Sequence, residues 1–260
     1  MYHRAYRLQY VALKKPMLPS IFISIWPLFG LYLWLQMGSL FALIIGSLLG
    51  GLQYRQWRRY QRAQYIEQYA IPLYLLHDLR RDYQLDSAQL PIIERGFKDF
   101  CLIHLDKPNQ LHNMPSKAVD ALWHGFILDT RSYAAFCGRA FGKMLHHRPS
   151  VNMQALSRSS QLNALNATWR GACKLQHIRP QAAHTLPFLF MLDQSVTWPD
   201  GQYYALDQLN NLLRYGDYSG TGENAEFSCV LDLSDCQSFG SDSSNDGSDG
   251  GSDCGGGCGD

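Results

Sequence analysis

From Pro16 to Tyr54 the chain runs for 39 residues without one Asp, Glu, Lys, Arg or His. As a single helix this stretch would reach about 58 Å at ~1.5 Å per residue, about twice a ~30 Å hydrocarbon core. It divides at Gln36-Met37-Gly38-Ser39 into an apolar piece from Leu18 to Leu35 and another from Leu40 to Tyr54. The pattern therefore predicts a transmembrane helical hairpin over residues 16–54. Arg4, Arg7, Lys14 and Lys15 precede it, and Arg55, Arg58, Arg59 and Arg62 follow it. Basic flanks on both sides resist translocation, which predicts a two-span protein of the inner membrane with residues 1–15 and the chain after Arg55 in the cytoplasm. A cleaved signal peptide fits less well, because a second apolar stretch and an Arg cluster stand where a small-residue cleavage site belongs. A hairpin buried in a globular fold would have to cover too many bulky side chains.

After the hairpin the apolar residues recur at helical spacing between short polar joints, over a body spanning residues 55–215. Helices are expected from Gln56 to Ala70, with a break near Pro72, and from Leu73 to about Tyr83. A third starts after a Ser87 cap and ends near Leu105, before the turn Asp106-Lys107-Pro108-Asn109. Ser116 caps a fourth, on which Val119, Leu122, Trp123, Phe126 and Ile127 share a face, and Thr130 caps a fifth, on which Tyr133, Cys137, Ala140, Phe141 and Met144 do. Further helices are expected around 159–175, 183–192 and 205–215. No strand alternation or βαβ rhythm interrupts them, so the body is predicted to be an all-α orthogonal bundle. Past Gly216 the composition turns to Gly, Ser, Asp and Asn, which predicts a disordered tail over residues 216–260 with at most a short strand at 227–233.

Charge sharpens this division. All 23 Lys and Arg lie at or before Arg214, whereas ten of the 22 acids follow it, so a body with a surplus of 11 positive charges carries a tail of ten negative ones. Arg interleaved with Trp and Tyr from Tyr54 to Tyr65 has the look of a nucleic-acid stripe, but its place directly after the apolar run favours lipid headgroups. The partners expected are thus a lipid bilayer and a protein partner, with no nucleic acid. Neither a Walker loop nor a Rossmann fingerprint occurs. Cys101, Cys137 and Cys173 are widely spaced and expected to stay reduced in a cytoplasmic domain, while Cys254 and Cys258 form a floppy pair without fixed ligand geometry.

The candidate chemistry is concentrated between Met114 and Pro149. Asp120 and His124, four residues apart, share one edge of a helix, where the carboxylate can orient the imidazole as a metal ligand or general base requires. Cys137 falls on the next helix, and His146 and His147 follow Gly142 closely enough to fold back. No cofactor is demanded, but His124, Cys137, His146 and His147, with Asp120 behind them, make a zinc site stereochemically reasonable. A second reading casts Cys137 as nucleophile, His124 as base and Asp120 as orienter. The third is packing alone: Cys137 lies among Tyr, Ala, Phe and Met, and paired histidines at a helix end can simply cap its carbonyls. Trp123, Tyr133, Phe136, Gly142 and Pro149 are expected to be structural.

Asp120, Trp123-His124, Ile127-Leu128, Tyr133, Phe136-Cys137, Phe141-Gly142, His146-His147 and Pro149 together resemble the glycine-rich domain-containing proteins in their short bacterial form. The Gly- and Cys-rich ending GSDGGSDCGGGCGD agrees with that family's low-complexity segments. The resemblance spans about residues 60 to 215 and implies a helical domain, without a reaction to carry over. The expectation is a membrane-anchored, cytoplasm-facing helical binding or scaffold module; the alternative is a zinc-type metal-dependent enzyme using the His124/Cys137 pocket.

Overall fold

The computed structural model describes residues 25–37, 40–147, 158–207 and 209–210, and over these the chain is all-helical. The helices are α1 (Ile25–Met37), α2 (Leu40–Gln68), α3 (Leu73–Tyr83), α4 (Leu90–Asp106), α5 (Lys117–Leu128), α6 (Thr130–Ala140), α7 (Arg158–Leu175) and α8 (Phe188–Ser195), with a 3₁₀ turn at Pro180–Ala182 before the last. No strand occurs among the described residues. Pro149, residues 211–260 with the proposed strand and the Cys254/Cys258 pair, and residues 1–24 lie outside them. Of the helix expected at 205–215, residues 206–207 and 209–210 are described and helical.

The apolar stretch does fold as a hairpin, but it does not supply two spans. No helix among the described residues is long and apolar enough to cross a membrane. The 13 residues of α1 extend about 20 Å, well short of a ~30 Å core. The 29 residues of α2 are long enough, but its apolar part gives out at Gln53 and Arg55, Arg58, Arg59 and Arg62 follow within the same helix. The transmembrane hairpin, and with it the two-span inner-membrane placement, is therefore overturned. The separate helix expected from Gln56 is the second half of α2, since no proline or glycine interrupts the chain between Leu52 and Gln68.

The body is built around α4, which packs against α2, α5, α7 and α8. Its buried residues, among them Ile93, Phe97, Phe100, Cys101 and Ile103, fall on most of its faces, as expected of a helix at the centre of a core. Gly96 lets the neighbours close in: a Cβ there would lie 2.7 Å from Val119 Cγ2 and would collide with Leu192. Phe136 anchors α6 to this core, with its ring centroid 4.7 Å from that of Tyr69, 5.5 Å from Phe126 and 6.1 Å from Phe97. Arg95 ties α4 to α2, its guanidinium reaching Glu67 at 2.5 and 3.0 Å and Asp99 at 2.8 Å.

Two polar devices set the position of α5. Ser116 caps it, its hydroxyl oxygen accepting from Val119 N–H at 3.2 Å. That hydroxyl in turn donates to Asp193 of α8 at 2.5 Å, and the Asp193 carboxylate also accepts from Lys117 N–H at 2.8 Å and Ala118 N–H at 3.2 Å. A buried carboxylate on free helix N–H groups satisfies donors that the helix itself leaves unpaired and matches the positive end of its dipole. Gln202 N–H adds a fourth bond at 2.8 Å, pinning the chain after α8 to the same point.

Candidate functional site

The return of the chain after α6 creates the site. Gly142, at φ 75°, sits just past the helix and its N–H bonds to the Cys137 and Gly138 carbonyls at 3.1 Å. A residue in this left-handed conformation is most easily glycine, and a Cβ would run into the Arg62 guanidinium. The chain thus reverses, and residues 143–147 come back toward α5. A hydrogen-bond relay secures the return: Trp123 Nε1 donates to the Tyr133 hydroxyl at 3.0 Å, which donates to the Leu145 carbonyl at 2.5 Å. Trp, Tyr and Gly at these positions are the parts of a clamp that delivers His147 to Asp120.

At that point three metal-competent groups converge. His147 Nε2 lies 2.9 Å from Asp120 Oδ1, and His124 Nδ1 lies 3.5 Å from Asp120 Oδ2. One ligand atom from each of the three residues can be chosen so that all lie within 4.8 Å of one another. Ligand atoms on a tetrahedral zinc stand about 3.3 Å apart, given bonds of about 2.0–2.1 Å, so small side-chain rotations suffice. The ring centroids of His124 and His147 are 4.3 Å apart, and Trp123 packs nearly perpendicular to His147 with ring centroids 4.5 Å apart. His147 is only 11% exposed, whereas His124 is 53% exposed. The site accordingly has one fixed side and one side open to solvent.

Of the sequence-derived candidates, the structure brings together Asp120, His124 and His147. Asp120 stands as a direct member of the group. His146 is exposed beside it and is not in the converging set among the described residues. Cys137 is fully buried in the core. Burial pushes its thiol up from the ordinary cysteine value, and the Leu145 main chain and the Tyr133 hydroxyl offset only part of that. Cys101, alongside it, is raised further, chiefly by burial and then by Cys137 itself. Thiols held protonated in an apolar core are poor nucleophiles and poor metal ligands.

The Asp120 group forms part of the wall of a cleft of ≈ 600 Å³ that also takes in His104, His112, Lys117, Lys143 and Trp198. His104 and His112 face each other with ring centroids 4.5 Å apart. Burial, and then His112, push His104 down to about 3, against a smaller opposing effect of its bond to the Phe100 carbonyl. Burial likewise lowers His112. Its Nε2 bonds to the Lys107 carbonyl at 3.3 Å, and its buried Nδ1 has no hydrogen-bond partner. This histidine pair and Asp193 were missed in the sequence; His104 and Asp193 left a trace as polar residues inside apolar helices, in FCLIHLD and in FLFMLDQS, whereas His112 lies in the polar joint before α5 and left none.

Over the described residues, fold and site together define an all-helical body with a clamped Asp-His-His group at the wall of a cleft. A family model described as UCP032817-like matches residues 61–229, and the chain belongs to that family. The match begins near the basic end of α2, so the apolar hairpin precedes it. No curated protein and no solved structure matches the chain.

Proposed function

We propose that the body is a metal-dependent binding module in which Asp120, His124 and His147 hold one first-row divalent ion, zinc foremost, at the wall of the cleft. The observation that carries this reading is the convergence of one carboxylate and two imidazoles from two separate parts of the chain, held by a clamp of buried side chains. Two histidines and a carboxylate suit zinc and its borderline neighbours. The ion would take the place of the proton that His147 shares with Asp120. Three protein ligands with an exposed His124 leave a coordination position facing the cleft, where an oxygen donor of a bound molecule would complete the shell.

An open position is also what a metal-activated water requires, but the cleft favours binding over turnover. The nearby histidines His104 and His112 are held neutral with lowered proton affinity, which makes them weak general bases. Calorimetric titration of the metal-stripped protein with zinc tests the reading. One site per chain is expected, with His147→Ala abolishing it and Asp120→Asn weakening it at least tenfold. Unchanged titration curves in both variants would refute it.

A further inference from the structure

The α1–α2 hairpin is built inside out. Its buried residues are glycines, Gly30 on α1 and Gly46 and Gly50 on α2, while its large apolar side chains stand exposed: Leu35 at 70%, Phe41 at 77% and Ile44 at 63%. The glycines weld the two helices together. A Cβ at Gly30 would lie 2.7 Å from the Ala42 carbonyl oxygen, and one at Gly46 would lie 2.5 Å from the Trp26 carbonyl oxygen. Close backbone approach through small residues is how helices associate where the surroundings are as apolar as their side chains.

The distribution of the exposed residues identifies those surroundings. A helix that docks in a protein groove shows one apolar stripe, whereas α1 and the first half of α2 are apolar all round. A partner that touches every side at once is a medium rather than a groove. Charge agrees: Arg55, Arg58 and Arg59 stand at i, i+3 and i+4, share one face of α2 and are exposed, whereas Arg62 further along the helix rests over Gly142 of the body. Arg58 lies over the Tyr54 ring at 6.0 Å, and Trp57 packs on the same ring at 6.0 Å. Basic residues with Trp and Tyr at the end of an apolar segment match anionic lipid headgroups. Length sets the depth. The legs as described, Ile25–Met37 and residues 40–53, extend about 20 Å, enough to fill one leaflet of about 15 Å and its interface, and over these residues too short to cross the ~30 Å core.

We propose that the α1–α2 hairpin is a one-leaflet anchor that inserts its glycine-welded apolar end into the near half of an anionic bilayer, with Arg55, Arg58 and Arg59 at the headgroup phosphates. It crosses nothing and leaves the cleft in water.

Flotation of the purified full chain with vesicles tests this, comparing phosphatidylcholine alone with phosphatidylcholine containing phosphatidylglycerol. The chain is expected to float with both and more strongly with the anionic vesicles. Arg58→Glu with Arg59→Glu should lower binding to the anionic vesicles more than tenfold, since each basic residue near the surface is worth about a fivefold gain. Ile44→Asp with Leu48→Asp should abolish flotation, while the thermal midpoint of the body is retained. Lipids brominated near the acyl-chain ends should quench the fluorescence that Trp34→Phe removes more than lipids brominated near the headgroup. The proposal is overturned by absence of flotation, by flotation indifferent to both double variants, by strongest quenching of Trp34 near the headgroups, or by a lipid-independent dimer that hides the hairpin.

Discussion

Truncating Asp193 to alanine should be among the most damaging single changes in the body, although it lies outside the motif. Its buried carboxylate accepts four hydrogen bonds, from the Ser116 hydroxyl and from the main-chain N–H groups of Lys117, Ala118 and Gln202. A bond to a charged acceptor nets about 1.5–3 kcal/mol, and each buried N–H left without a partner costs about 1–3 kcal/mol. These contributions share one carboxylate and do not add independently. The Ser116 hydroxyl can turn to another acceptor and Lys117 lies near solvent, so a total of about 3–5 kcal/mol is expected. Asp193→Asn keeps the shape and one acceptor oxygen but turns an amide toward donors, for a loss of about 1.5–3 kcal/mol. At about 2–4 °C per kcal/mol for a protein of this size, the alanine variant should melt about 6–20 °C lower. Urea unfolding followed by far-ultraviolet dichroism measures the loss, and the slope with denaturant should stay constant. A loss below about 1 kcal/mol would refute the view that this carboxylate fixes α5, and with it the explanation of how Asp120 is positioned.

Three further outcomes follow from the same geometry. Tyr133→Phe breaks the relay from Trp123 to Leu145 and should lower stability by about 1–3 kcal/mol; it should also weaken zinc binding by loosening the return to His147, and unaltered affinity in calorimetry would show that the relay does not position that histidine. Cys137→Ser should leave zinc affinity within about twofold while lowering the thermal midpoint, and a large loss of affinity would place sulfur in the site. Because His104 has a folded-state value near 3 against about 6.5 unfolded, the unfolded chain binds the extra proton between those values. Stability from this residue is therefore complete above about pH 6.5 and drains away as the pH falls toward 3, by about 2 kcal/mol at pH 5. Denaturation midpoints measured from pH 7 to pH 5 should fall less steeply in His104→Gln, and parallel curves would contradict the assignment.

The parts of the fold legible in the sequence are those fixed by local rules. Pro72 and the apolar period give α3 its observed bounds, Leu73–Tyr83, and Ser116 caps α5 as its position suggests. Where two cap-forming residues adjoin, local reasoning selects poorly: Asp129, not Thr130, caps α6, accepting from Ser132 N–H at 3.2 Å. The helix expected from residue 183 begins at Phe188 because Pro187 occupies its cap and disfavours helix in the residue before it. The apolar run was legible as a hairpin but not in its reach, because periodicity does not reveal that charged and apolar halves share one helix in α2.

The site divides in the same way. Asp120 and His124 are neighbours by helical spacing alone, whereas the pairing of Asp120 with His147 depends on the reversal at Gly142 and the Tyr133 relay. These are tertiary facts that no spacing encodes. Cys137 was drawn toward the histidines by its chemistry, but its position among Tyr133, Phe136 and Ala140 directs it to the core.

The claim that Asp120, His124 and His147 form a metal centre without sulfur is tested most directly by titrating the metal-stripped protein with cobalt(II) and recording its absorption spectrum. The structure predicts ligand-field bands that saturate at one ion per chain, lack thiolate-to-cobalt charge transfer, and vanish in His147→Ala. Absence of saturable bands, or a thiolate charge-transfer band that Cys137→Ser removes, would contradict it.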